Sequence, residues 1–444
     1  MQKHVLGFPR IGAHRELKKA LEAFWKGEQS LSQLDECAKS IRLNNWKTQK
    51  DAGLSFVATG DFSYYDHVLD TCVMLDAIPG RFRHLPQNTV ETYFMMARGD
   101  QETGIHAMEM TKWFNTNYHY IVPEISEDFQ PKFVGRKIIN ETHEAIEAGF
   151  NPKPVLVGPI TFLALAKGKN GFDCWEKIDA VTKVYAEVLQ EFSGICEWIQ
   201  LDEPILSSDL APGGRAAFAN VYQQLNAAAG SAKLLLATYF DALDDNLDIA
   251  LASGCAGLHI DLVRGGANLD EILAKFPENM ILSAGMVEGR NIWKNDFAKS
   301  LTVLRKIQAK LGERMMIGSS CSLLHSPVDL TNEIKLDSTI KNWMAFAVQK
   351  CVEVGMLGNI ASGIAYDAEL EANRKAIQSR HTDPRLHCHA IASRVQAITD
   401  DMYQRKSPYK LRKQAQAWLA LPLFPTTTIG SFPQTAEIRR ARRD

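Results

Sequence analysis

The chain has 444 residues, 45% of them hydrophobic, with 50 Lys+Arg against 52 Asp+Glu and a formal net charge of −2. With only 29 Gly and 17 Pro, this composition excludes the disordered, collagenous and low-complexity classes, and near-neutrality excludes a general nucleic-acid binder, which needs a basic excess. Eight dispersed cysteines without a CxxC pair predict free thiols in a reducing compartment, and the lack of a signal-peptide core or a long apolar span predicts a cytoplasmic protein.

In chain order, the first predicted strand is HVLGFP (residues 4–9), followed by a helix in RELKKALEAFWKGE whose Leu17, Leu21, Phe24 and Trp25 form one apolar stripe. LSFVATGD (54–61) is the second strand. Residues 62–153 are too long for a plain connection and predict a folded insertion carrying helices and the segment MTKWFNTNYHYIVPE. Six more runs follow: PVLVGP (154–159), WIQLDEP (198–204), KLLLATY (233–239), GLHIDL (257–262), MILSAG (280–285) and MMIGSS (315–320). Continuous apolar runs are the mark of parallel strands covered on both faces, and eight of them alternating with helices predict an α/β fold, a closed (β/α)8 TIM barrel. The expected organisation is a barrel over 1–325, a last barrel helix and helical linker over 326–420, and a truncated start of a second barrel over 421–444. That last expectation rests on self-similarity: Gly7-Phe8-Pro9 aligns with Ser431-Phe432-Pro433, and Glu16-Leu17-Lys18-Lys19-Ala20 with Glu437-Ile438-Arg439-Arg440-Ala441.

The stretches LGFPRIG with RELKKA, GDFSYYDHVL, EMTKWFNTNYHY, VLVGPITFL, QLDEPIL, SAGMVEGRNIW, SSCSLLHSP and PTTTIGSFPQT together resemble the cobalamin-independent methionine synthases. The resemblance implies two (β/α)8 barrels related by duplication. It also implies methyl transfer from 5-methyltetrahydropteroyltri-L-glutamate to L-homocysteine, with a zinc site of one His, two Cys and one Glu in the C-terminal barrel, which this chain lacks. The fragment is therefore expected to be inactive alone and to supply the folate-polyglutamate surface. The alternative is a stand-alone, non-catalytic barrel that binds folate polyglutamates.

Several residue groups are candidates for chemistry. By the duplication, the positions equivalent to the zinc ligands are Thr238, Phe240, Asp261 and Cys321. Thr and Phe are not zinc ligands of that kind, so no metal and no catalytic group is expected in this barrel. Asp202-Glu203 closes a strand where barrel enzymes place catalytic groups, and is read either as a structural cap or ion pair or as a retained ligand site. Arg15 and Lys18 share a helix face near the first strand's C-terminal end, and clustered cations suit a tail of carboxylates. The resemblance assigns tail binding to Arg15, Glu16, Leu17 and Lys18 and to Lys112 of the insertion, and incomplete homocysteine or methionine binding to Ile429, Gly430 and Ser431. Phe62, Tyr64, Tyr65 and His67 are either core or a folate pocket, and His387-Cys388-His389 reads as a solvated segment.

Overall fold

A computed structural model describes every residue except 429 and 431–433. The eight strands are β1 (Gln2–His4), β2 (Val57–Thr59), β3 (Pro152–Val157), β4 (Trp198–Asp202), β5 (Lys233–Ala237), β6 (Gly257–Asp261), β7 (Ile281–Val287) and β8 (Met315–Ser319). They run parallel in the order β1-β8-β7-β6-β5-β4-β3-β2. The ring closes between β1 and β2, where the Ser55 N–H donates to the Lys3 carbonyl at 2.7 Å and the Lys3 N–H donates to Ser55 Oγ at 3.0 Å. Each predicted run carries one strand. The first is displaced: β1 ends at His4, and Val5 to Pro9 form the loop above it.

The barrel interior is layered. Phe56, Trp198, Leu235 and Met316 make an apolar plug. A polar layer includes Ser283 Oγ, which meets His4 Nε2 at 2.7 Å and His259 Nδ1 at 2.8 Å, and Gln200, which accepts from Lys153 Nζ and donates to the Leu6 carbonyl at 3.0 Å. Burial holds His259 neutral, its pKa pulled down to about 3.

The first connection holds two helices, Glu16–Trp25 and Leu31–Asp51. Leu17 and Leu21 of the predicted stripe are buried together with Ala20, while Phe24 and Trp25 are half-buried against Phe94 of the insertion. The insertion contains helices His67–Met74 and Val90–Arg98, a hairpin of Met110–Lys112 with His119–Ile121, and helix Lys137–Glu147, which packs on β2 and β3. MTKWFNTNYHYIVPE is thus the hairpin. Helix Ala347–Ala361 packs on β1 and β8 as the last barrel helix.

The chain divides into two compact units, Met1–His381 and Thr382–Asp444. The second unit holds helices His389–Gln396, Tyr409–Ala415 and Ala436–Arg443. Ile429 and Ser431 of the expected strand TTTIGS lie outside the described residues, and Gly430 is an exposed bend. Among the described residues no helix is long and apolar enough to cross a membrane.

Candidate functional site

At the C-terminal ends of the strands, the carboxylates singled out in the sequence are engaged by the chain's own donors. Asp202 accepts from Gln200 Nε2 at 2.6 Å and from the Tyr239 hydroxyl at 3.0 Å. Burial pushes its carboxyl up and pulls the neighbouring Lys153 ammonium down. Glu203 accepts from the backbone N–H groups of Ile160 (3.1 Å) and Thr161 (2.6 Å) and from the Tyr222 hydroxyl (3.0 Å). It therefore caps helix Pro159–Ala164 from a distant segment, satisfying N–H groups that the helix itself leaves free. Gly158 permits this approach, since a Cβ there would stand 2.1 Å from Glu203 Oε1. Asp61 Oδ2 accepts the Phe8 N–H at 2.7 Å, and burial raises its pKa to about 7. Of the two readings of Asp202-Glu203, the geometry supports the structural one.

The insertion hairpin packs over the same end. His67 stacks on Tyr118 (5.3 Å between centroids) and meets Trp113 edge-on. Phe114 contacts Phe240, which in turn contacts His325. Burial lowers His67 to about 3 and His325 to about 4, so both rings are neutral at pH 7. Phe62 is buried, Tyr64 and Tyr65 half-buried, and all three join the main core.

The positions equivalent to the zinc ligands of the second barrel carry side chains that do not suit that ion. Thr238 Oγ1 donates to the His259 carbonyl at 2.8 Å, and Phe240 has no ligating atom in its side chain. Asp261 accepts from the N–H groups of Phe240, Val263 and Arg264 at 3.2, 3.0 and 3.0 Å. The buried Cys321 thiol is pushed far from ionising. Among the described residues no group of three or more His, Cys, Asp or Glu side chains could hold a metal ion. Cys388 is a free, exposed thiol.

Of the predicted basic residues, Arg15 lies at a different place, on the wall of a cavity of about 450 Å³ lined also by Arg10, Tyr118, Asp329, Asn332 and the loop from Pro9 to Ala13 among others. Arg15 caps helix Glu16–Trp25 in a left-handed conformation, φ 62°. Glu16 accepts the His14 N–H at 2.9 Å, and its carboxylate occupies the space a Cβ on Gly12 would need. Leu17 is fully buried and anchors the segment in the core. Lys18 is half exposed and faces Glu22 at 3.6 Å, a weakly held pair. Lys112 is exposed on the hairpin, opposite His119 in register, next in chain to Trp113, whose N–H donates to the Tyr118 carbonyl at 2.8 Å. Arg15 and the hairpin thus border one cavity through Tyr118, whereas Lys18 stands on the neighbouring helix surface. Sequence reasoning missed Arg10, which donates to the Ser63 carbonyl at 2.7 Å and lies over the Tyr118 ring. Its position in the loop directly after β1 was the available signal.

The family model described as "Cobalamin-independent synthase, N-terminal domain" matches residues 2–312. Among curated relatives, the 5-methyltetrahydropteroyltriglutamate–homocysteine methyltransferase of Syntrophotalea carbinolica is 46% identical over 447 residues, covering 100% of this chain and 59% of that protein. Its counterpart in Coxiella burnetii is 47% identical over 448 residues, covering 99% and 58%. The chain therefore spans under two thirds of the length of these relatives. Two solved structures share the fold. The putative vitamin-B12 independent methionine synthase of Listeria monocytogenes aligns with a TM-score of 0.54 at 15% identity, over 80% of this chain and 96% of that one. A B12-independent methionine synthase from Shewanella, solved with selenomethionine, aligns at 0.54 and 11%, over 76% and 91%. The 444-residue chain belongs to the cobalamin-independent methionine synthase family.

Proposed function

We propose that this chain is the N-terminal portion of a zinc-dependent methyltransferase that moves the methyl group of 5-methyltetrahydropteroyltriglutamate to homocysteine, and that its share of the work is to hold the polyglutamate tail. The relatives' names supply the substrates. The observation that carries the division of labour is the contrast between two places in the first barrel. The strand-end carboxylates are satisfied by Phe8, Ile160, Thr161, Tyr222 and Tyr239, so they have little capacity left for substrate. The cavity beside them has Arg10 and Arg15 on its wall and Lys112 on the adjoining hairpin.

Zinc would turn the homocysteine thiol into the thiolate that methyl transfer needs. Its ligands and the homocysteine pocket belong to the second barrel in this reading, of which Ile429, Gly430 and Ser431 are an opening piece. The chain alone is then inactive, and works in the cytoplasm joined to that barrel.

Arg15, Lys18 and Lys112 would meet the successive γ-glutamyl carboxylates by charge-assisted hydrogen bonds. In a chain of net charge −2, such attraction is a local field and weakens as salt screens it. Calorimetric titration of the chain with pteroyltriglutamate and with pteroylmonoglutamate tests the reading. Replacing Arg15 and Lys18 together by Ala should raise Kd for the triglutamate by roughly 3- to 30-fold, with a smaller change for the monoglutamate. Equal losses for both ligands would mean that the segment acts through barrel stability and not through the tail.

A further inference from the structure

Arg290, in the loop after β7, reaches 175 positions back along the chain to the turn of the insertion hairpin: Nη1 donates to Asn115 Oδ1 at 2.8 Å and Nη2 donates to the Asn115 carbonyl at 2.9 Å. We infer that Arg290 is a positioning residue for the polyglutamate tail, clasping the hairpin so that Lys112 stands fixed beside the cavity that Arg15 lines. This rests on the tail-binding reading above.

The clasp is built at both ends. Its guanidinium lies over the Phe240 ring, 4.9 Å from the centroid, a cation–π contact that helps hold the group in place. The backbone beneath it is pinned, because the Gly289 N–H donates to Ser320 Oγ at 3.2 Å and Ser326 Oγ donates to the Gly289 carbonyl at 2.9 Å. On the hairpin side, the turn is closed by Thr116 Oγ1 donating to the Trp113 carbonyl at 2.7 Å, and Phe114 is held at φ 50°, a left-handed conformation that a non-glycine residue keeps only when its surroundings enforce it. The other end of the hairpin is fixed separately, by the Ile121 N–H donating to Asp66 Oδ2 at 3.0 Å.

A two-stranded ladder of three residue pairs is marginal by itself. Its outer end therefore takes its position from what grips it, and Arg290 grips it through two N–H donors to Asn115. Lys112 is exposed on that ladder and has no ion-pair partner among the contacts described. A flexible side chain on a mobile ladder would lose more freedom on meeting a carboxylate than one on a fixed ladder. The effect of Arg290 should accordingly be felt by the tail carboxylates that Lys112 meets and not by the pteridine end.

Lysine at 290 keeps the charge but cannot make the two-nitrogen clasp, so Arg290→Lys separates positioning from simple attraction. In the full chain, this variant should weaken pteroyltriglutamate binding roughly 3- to 10-fold. It should leave pteroylmonoglutamate nearly unchanged and speed amide exchange in residues 110–121. Because the effect passes through Lys112, it should shrink to less than about twofold in a Lys112→Ala background, the non-additivity expected of coupled residues. Additive losses, or equal losses for both ligands, would overturn the positioning role, as would unchanged triglutamate affinity in Arg290→Lys when Lys112→Ala weakens it. If Lys112→Ala itself leaves triglutamate affinity unchanged, the tail-site reading falls and takes the positioning role with it.

Discussion

Glu203 shows how a residue that reads as catalytic in the sequence becomes structural in the fold. Its position at the end of β4 is where barrel enzymes keep reactive groups, yet its oxygens are taken up by two backbone N–H groups and a tyrosine hydroxyl. Burial is the largest influence on it and raises its pKa from 4.5 to about 7. The folded state therefore holds a proton that the unfolded chain has released above pH 4.5, so this group favours folding most at low pH and loses that contribution as pH rises through about 7. Glu203→Gln removes the titration. Chemical denaturation of both proteins should show the variant less stable at pH 5, with the gap narrowing by on the order of 2–3 kcal/mol by pH 8. A gap independent of pH would mean that Glu203 does not change its charge in this range. The dipeptide was visible in the sequence. Its donors were not, because Ile160 and Tyr222 lie 43 and 19 positions away and only the barrel brings them together.

Among the elements, the insertion hairpin is joined to the helix beside it by a single carboxylate. Asp66 Oδ1 accepts the N–H groups of Val68 (2.8 Å) and Leu69 (2.9 Å), capping helix His67–Met74, while its Oδ2 holds the Ile121 N–H. One carboxylate thus ties a helix start to a strand. Asp66→Ala leaves three buried donors without an acceptor and should cost about 2–4 kcal/mol in a denaturant titration, with faster amide exchange in 119–121 and in the first turn of the helix. Loss of stability with the hairpin amides still protected would show that the aromatic contacts of Trp113 and Tyr118 hold it unaided. The stripe of Leu17 and Leu21 and the helix after β1 followed from 3.6-residue periodicity. MTKWFNTNYHYIVPE was recognisable as a distinct segment, but not as a hairpin lying against Phe240, Arg290 and His325. Those partners come from three other strand ends, and no local pattern encodes them.

For the whole molecule, the three core clusters draw on residues up to Leu370. Helix Asp367–Thr382 is tied in by Asn373, which accepts the Phe297 N–H at 3.2 Å and donates to the Asn295 carbonyl at 2.8 Å. In the second unit, Leu423, Phe424 and Trp418 are largely exposed. Because the unit Met1–His381 holds these clusters by itself, a chain ending at His381 should fold alone and melt cooperatively, its Tm within roughly 4 °C of the full chain. Aggregation or a broad transition would show that the barrel needs residues beyond 381.

The sequence by itself determined the eight strands, because burial on both faces leaves each as an unbroken apolar run, and it carried the family through long motifs such as EMTKWFNTNYHY. It also marked Arg15, Lys18 and Lys112 as cations near one end of the barrel. Only the tertiary structure decided which charges remain open to a ligand. Whether Asp202 or Glu203 faces substrate or the chain's own donors depends on Tyr239, Ile160, Thr161 and Tyr222, which the closed ring delivers from remote positions, and a buried carboxylate without such donors would be too costly to keep. The same closure set Arg290 against Asn115, a pairing of two loops whose separation of 175 positions along the chain leaves no periodic trace.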